Sequence, residues 1–174
     1  MKIDKIEKKG YLQLQDVVGK AMVPYEPKRC NRWIITLPEK FGMFNMRCFS
    51  SKTDRPSVNI VDGHVIFNPI NISFYDPIGP SHAQLVFDMM VGLTDYDDDS
   101  ENLNAKEAKE KWKEFKTGFD YKLELLDPCG VVVESWMIYG CKLTNIDFGQ
   151  LSYTDDSVCE VTITVQPEKW VLLY

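Results

Sequence analysis

Residues 121–139 read YKLELLDPCGVVVESWMIY, and this stretch decides the fold class. Asp127-Pro128-Cys129-Gly130 puts Pro at the second position and Gly at the fourth. That is a type I turn signature, because proline presets the φ of the first corner. The turn separates Tyr121–Leu126 from Val131–Tyr139, so a β-hairpin is predicted. Period-two alternation recurs on either side of it. Trp33, Ile35 and Leu37 share one face against Ile34 and Thr36, and Ile70, Ile72 and Phe74 alternate with Asn71, Ser73 and Tyr75. Near the end, Cys159, Val161, Ile163 and Val165 alternate with Glu160, Thr162, Thr164 and Gln166. Each run fits a half-buried antiparallel strand, with one face to the core and the other to water or a partner. Asp62-Gly63 marks a second tight turn before Val65–Phe67.

Two segments read as helices. Ser81 with Gln84 forms a capping box, and Leu85, Val86, Met89 and Met90 follow as one apolar stripe, with Gly92 placed to end the helix. Asn104 with Glu107 is a weaker capping-box match, after which Ala108, Trp112, Phe115 and Phe119 recur at spacings of four, three and four. Lys106, Lys109, Glu110, Lys113 and Glu114 take the opposite side, and Gly118 supplies a C-cap. This helix is expected to lay its aromatic stripe on a sheet. With no repeat, low-complexity linker or composition break, residues 1–174 read as one domain. The predicted class is mainly β, an antiparallel β-barrel or sandwich with one or two flanking α-helices.

Composition narrows the function. At 174 residues, 44% hydrophobic and 26% charged, the chain has ordinary globular usage, which excludes disorder, collagen and coiled coil as its architecture. Its formal charge of −6 and the lack of a basic block argue against sequence-specific nucleic-acid binding, since such a surface repels phosphates. Five cysteines, Cys30, Cys48, Cys129, Cys141 and Cys159, are an odd number without C-x-x-C spacing. They argue against a disulfide framework or zinc ribbon and for free, mostly buried thiols in a reducing compartment. Met1–Lys9 alternates Lys with Asp and Glu, and no stretch reaches the ~20 apolar residues that cross a bilayer. A soluble chain made in the cytoplasm, without membrane insertion, is expected.

The search for chemistry returns little. Asp95, Asp97 and Asp99 occupy the first, third and fifth positions of an EF-hand register, but the sixth is Ser100 and the twelfth Lys106, which cannot supply the closing carboxylate. The run Asp95–Glu101 reads instead as a solvated acidic loop ahead of a helix N-terminus. His64 and His82 are the only imidazoles, and neither stands at metal-ligand spacing, so surface polar roles are expected. Nucleophile-elbow, zincin, P-loop and dinucleotide-binding motifs are all missing from the sequence. A Cys–His pair formed in space keeps a cysteine-dependent enzyme as an alternative. The aromatic residues keep a carbohydrate-binding β-sandwich as another. Trp33, Trp112 and Phe115 read as core, whereas Trp136, Trp170 and Tyr174 are less clearly internal and are candidate contacts with another subunit. No catalytic, cofactor or metal site is predicted.

The second half resembles the tail tube proteins of contractile-tailed bacteriophages. The residues that carry this are Asp127–Cys141, then Leu143–Tyr153 with its Gly149-x-Leu151-x-Tyr153 corner, then the closing strand Val161–Val165. In the first half, Asn31–Pro38 looks like the family's opening strand, followed in order by Arg55-Pro56-Ser57 and Asn68–Asp76. The likeness covers about residues 30–166 and lies in the succession rather than in any one motif. It implies a small β-barrel or sandwich that joins its sheet edges in hexameric rings, which stack into a hollow tube. It implies no enzymatic activity and no cofactor. The implied partners are sheath, tape-measure and baseplate proteins, with DNA passing through the lumen transiently and non-specifically, in a virion tail. Residues 1–29, an N-terminal arm, and the acidic loop plus helix within 95–118 depart from the pattern. They leave a tube initiator or baseplate ring protein of the same fold as the alternative. Exposed sheet edges, a liability in a monomer, become interfaces in a ring. Asn45–Ser57, a polar stretch containing Ser50, Ser51, Lys52 and Thr53, is then a candidate inter-ring contact loop, or else an ordinary surface loop.

Overall fold

The computed structural model describes residues 28–45, 50–96, 105–154 and 156–173. The long hairpin forms as predicted, from β6 (Phe119–Leu126) and β7 (Val132–Asp147). Its turn is locked by the Asp127 carboxylate, which accepts the N–H groups of Cys129 and Val131 at 2.8 Å each, while Gly130 takes φ 86°. β7 is 16 residues long, well past the predicted Tyr139. Its first part pairs with β6, and its far side pairs with β8 (Glu160–Gln166) and then β9 (Lys169–Leu173). Lys142 faces Gln166 and Tyr139 faces Lys169 in one unbroken register. β8 and β9 are therefore a single run interrupted at Pro167, which has no N–H to give the ladder; Glu168 resumes it by donating to Tyr139 O at 3.0 Å.

At Gly140 (φ 62°) the long strand passes from one half of the molecule to the other. β1 (Trp33–Thr36), β6, the start of β7 and β9 make one half. β2 (Ser50–Thr53), β5 (Ile70–Tyr75), β8 and the end of β7 make the other. The antiparallel order is β1-β6-β7-β8-β5-β2, with β9 beside β7. The terminal strands β1 and β2, four residues each, do not pair with one another, so the ladder stays open. Of the two forms the sequence left open, the fold is the sandwich and not the closed barrel. Asp62 (φ 50°) and Gly63 (φ 78°) form the two-residue turn of a separate hairpin, β3 (Val58–Val61) with β4 (His64–Phe67).

The core lies between the halves. Ile35, Leu123 and Ile138 come from one, and Ile72, Phe74, Ile163 and Val165 from the other. Two residues break the expected alternation. Ser73 is buried on the face assigned to water, where its hydroxyl meets that of Thr162 at 2.8 Å. Cys159 precedes β8 and is exposed.

Helix α1 (His82–Leu93) begins at Ser81, whose Oγ accepts the Gln84 N–H at 3.3 Å. Asp76 adds a second cap the sequence did not reveal, accepting the N–H groups of His82 (2.8 Å) and Ala83 (3.2 Å). Gly92 does not end this helix; Thr94 caps it, its hydroxyl donating to Met90 O at 2.7 Å. Gly92 instead lies inside the last turn, against helix α2 (Ala105–Trp112), where a Cβ would stand 2.6 Å from Ala108 O. The periodic stripe predicted as one helix divides: α2 passes into a 3-10 turn (Lys113–Thr117) that stops at Gly118 (φ 113°), and Phe119 already belongs to β6. Asn104, the predicted cap, lies outside the described residues. The aromatic stripe meets less sheet than expected. Trp112, Phe115 and Phe119 surround Phe41 at 4.8–5.5 Å between ring centroids, and Phe41 lies in the 3-10 segment Glu39–Asn45. The helical pair thus closes the end of the sandwich where β6 begins.

Candidate assembly surfaces

Sheet edges come first. Among the described residues, β1 pairs only with β6 and β2 only with β5, so each presents one free edge of backbone donors and acceptors. The β3–β4 hairpin stands off the sandwich. Its base is fixed by Gln166, whose side-chain amide donates to Phe67 O at 2.9 Å, and by Phe67 set edge-on to Trp170 at 5.6 Å. Beyond that base it carries apolar side chains into water, with Ile60 72% and Val65 54% exposed. β-branched residues favour the strand but need a covering surface, and the monomer supplies none. The loop after β7 adds exposed Phe148, Leu151 and Tyr153. Together with Tyr75 and Val158 it outlines an open cavity of about 610 Å³.

At the far end of β6 a polar knot closes the core. Glu134 sits on the inward face of β7 and is 7% exposed. Its carboxylate accepts from Arg55 at 2.5 Å, from Trp136 Nε1 at 2.6 Å, and from Lys28. Burial pushes this carboxyl up, but the hydrogen bonds from Lys28, Trp136 and Arg55 outweigh it and hold the group at about 2. Beside the knot lies a cavity of about 170 Å³, with Lys28, Arg29 and Arg55 on its rim and Trp33, Leu123 and Leu125 beneath.

The residues singled out as contacts fall in different places. Ser50–Thr53 is not a loop but the edge strand β2, paired to β5 through Ser50–Phe74, Lys52–Ser73 and Thr53–Ile72. Trp136 and Trp170 are half-buried, and their rings meet edge-on at 5.1 Å against the core. Tyr174, Cys48 and residues 97–101 of the acidic run lie outside the described residues; Asp95 and Tyr96 are exposed. His64 is exposed as expected, but His82 is fully buried. It stacks on Phe44 at 4.7 Å, and its Nδ1 lies 2.5 Å from Tyr75 O. The thiols correct the expectation of burial, since Cys30, Cys129 and Cys159 are exposed and only Cys141 of the described four is buried. Burial, with Asp120 nearby, pushes the Cys141 thiol up to about 12, the opposite of an activated nucleophile. Among the described residues no group of His, Cys, Asp or Glu is arranged to hold a metal, and no helix is long and apolar enough to cross a membrane. The sequence signal for the exposed hairpin was the Asp62-Gly63 turn flanked by Ile60-Val61 and Val65-Ile66. Nothing in the linear sequence pointed to the Glu134 knot.

No protein-family model matches the chain, and no curated protein sequence matches it. Solved structures do match. A chain of the sheath/tube terminator of an extracellular contractile injection system, PVC, superposes with a TM-score of 0.58 at 11% identity, covering 87% of this chain and 99% of that one. A chain of the tube-terminating cap of the anti-feeding prophage gives 0.57 at 14% identity, over 90% and 97%. A chain of the anti-feeding prophage baseplate gives 0.51 at 13%, over 86% and 97%. The open sandwich with its helical pair is thus a fold this chain shares with components of contractile injection systems.

Proposed function

We propose that the chain is a structural subunit of a phage-like contractile tail tube, assembling by its sheet edges into hexameric rings that stack around a lumen. The observation that carries this reading is the apolar β3–β4 hairpin held off the sandwich. Such a surface is a cost to a monomer and an interface in an assembly. The free edges of β1 and β2 support the same reading, since a head-to-tail contact that closes a ring leaves no edge unpaired. The role is non-enzymatic and uses no cofactor. Sheath, tape-measure and baseplate proteins are the proposed partners, in a virion tail after synthesis in the host cytoplasm.

Conduction of a genome fits the polar face of β5 and β8. There the Thr164 hydroxyl donates to the Asn71 side-chain oxygen at 2.8 Å. A wall of neutral groups already bonded to one another has little to offer a phosphate chain, and the net charge of −6 repels it. Negative-stain images of the purified protein test the proposal. Rings or tubes are expected, and a strictly monomeric protein at high concentration would refute it. Copy number per particle separates a repeated tube subunit from an initiator or baseplate ring, which is present once.

A further inference from the structure

The cationic cavity beside Glu134 and the described start of the acidic run, Asp95 and Tyr96, lie at opposite ends of the fold. Leu125, at the end of β6, lines the cavity; Phe119, at its start, packs on the aromatic group around Phe41 and Trp112. Gly92 of α1 lies against Trp112, and the acidic run begins three residues later at exposed Asp95 and Tyr96. The rim of the cavity carries three cations, Lys28, Arg29 and Arg55, of which Lys28 and Arg55 hold the one carboxylate of Glu134, a local excess of positive charge on a chain whose net charge is −6. Lys28 and Arg55 keep about half of their side-chain surface in water (50% and 59% exposed) while holding Glu134, so both can meet a second acid. From Asp95 and Tyr96 the sequence continues as Asp97-Asp98-Asp99-Ser100-Glu101, acids around one aromatic residue. That chemistry matches a cationic rim over a floor of Trp33, Leu123 and Leu125.

We infer that the Lys28–Arg29–Arg55 cavity is the docking site for the acidic segment 95–101 of a second copy of this chain, an end-to-end contact that sets the polarity of stacking. This rests on the tube reading and specifies one of its contacts. Like charge on the two ends would repel, and unlike charge lets one end meet only the other, so copies add in a single direction.

The test uses two full-length variants. Arg29→Glu alters the rim without touching Glu134. Asp97→Lys/Asp98→Lys/Asp99→Lys alters the segment. Circular dichroism and melting temperature equal to the parent's establish that both fold. Sedimentation and negative-stain imaging then read stacking. The parent is expected to form stacks that shorten in ~1 M salt, where the screening length falls to about 3 Å. Each variant alone is expected to stack at least tenfold more weakly. Mixed in equal amounts, the variants retain one good rim and one good segment between them, so they are expected to form two-layer pairs that grow no further. Parent stacks with either variant stacking equally well overturn this contact and leave the tube reading standing. Loss of stacking in the rim variant alone assigns the cavity to another occupant and also overturns it. A parent that never associates overturns both.

Discussion

Arg55 and Glu134 stand 79 positions apart in the chain and 2.5 Å apart in the fold. With Lys28 and Trp136 they tie the segment before β1 and the connection after β2 to the inward face of β7. Because Glu134 is buried and its cations are half in water, neutralising it leaves no uncompensated buried charge, but it takes the charge out of three hydrogen bonds and replaces one acceptor oxygen with an NH2 donor. Glu134→Gln is expected to cost about 1–3 kcal/mol at neutral pH, less than a fully buried pair, because solvent already screens the cations. The pH dependence has a definite sign. A carboxyl held at about 2, against an ordinary 4.5, stabilises the fold fully above pH 4.5 and loses that contribution as pH falls toward 2. Urea titrations of parent and variant should therefore converge across that window, and a constant gap down to pH 2 would contradict the assignment.

The two half-buried tryptophans of β7 and β9 are expected to respond differently to one change. Trp136 Nε1 donates to Glu134 at 2.6 Å, whereas the buried Trp170 Nε1 has no hydrogen-bond partner among the described residues. Trp136→Phe removes a donor from a carboxylate and should cost roughly 1.5–3 kcal/mol. Trp170→Phe removes a buried donor that bonds nothing, so its loss should lie well below that. Equal losses in thermal melts would contradict the difference.

Gly92→Ala tests how closely the helices approach. Alanine favours a helix interior by about 1 kcal/mol over glycine. Here, however, the new methyl would stand 2.6 Å from Ala108 O and 2.7 Å from the Trp112 ring, and the first of these is backbone that cannot turn aside. Net destabilisation of about 1–3 kcal/mol is expected from overpacking. A raised melting temperature would show that the helices can separate freely.

Thiol labelling at pH 8 should divide the described cysteines by environment. Cys30, Cys129 and Cys159 are exposed and should react with a maleimide at rates near those of a free thiol. Cys141 is buried and its thiol is pushed up to about 12, so it should label only after unfolding by urea. Mass spectrometry of peptides after brief exposure reads this directly, and rapid modification of Cys141 in the native protein would contradict its burial.

The strands were legible because their information is local. Alternation at residues 33–37, 70–75 and 161–165 and the turns at Asp127–Gly130 and Asp62-Gly63 each lie within a few positions. What escaped depends on residues far apart in sequence. Gly92 looks like a stop signal until Trp112 and Ala108 show why it must lack a side chain. His82 reads as a polar helix start until Phe44 and Tyr75 enclose it. Ser50–Thr53 has a loop's composition, and only its register against β5 makes it a strand. The assembly surfaces divide in the same way. The apolar hairpin shows in its turn and flanking residues, whereas the Glu134 knot draws on positions 28, 55, 134 and 136 and has no linear pattern.

The hairpin can be made soluble without being unfolded. Ile60 and Val65 face each other directly across β3 and β4 and are both mostly exposed. Replacing them as a pair, Ile60→Lys with Val65→Glu, keeps a cross-strand interaction of about 0.2–1 kcal/mol in place of the apolar contact. Neither side chain reaches the core, so folding stability should shift by no more than about 0.5 kcal/mol. Assembly should respond very differently. A charged pair buried against a neighbour lacks partners there, and each desolvated charge costs several kcal/mol. The variant is therefore expected to stay monomeric at concentrations where the parent forms rings or tubes, with an unchanged circular dichroism spectrum. Restoring isoleucine at position 60 alone leaves a lone acid at position 65 and should not recover assembly. If the charged pair assembles like the parent, the hairpin faces solvent in the assembled state as well, and the edges of β1 and β2 would have to carry association alone.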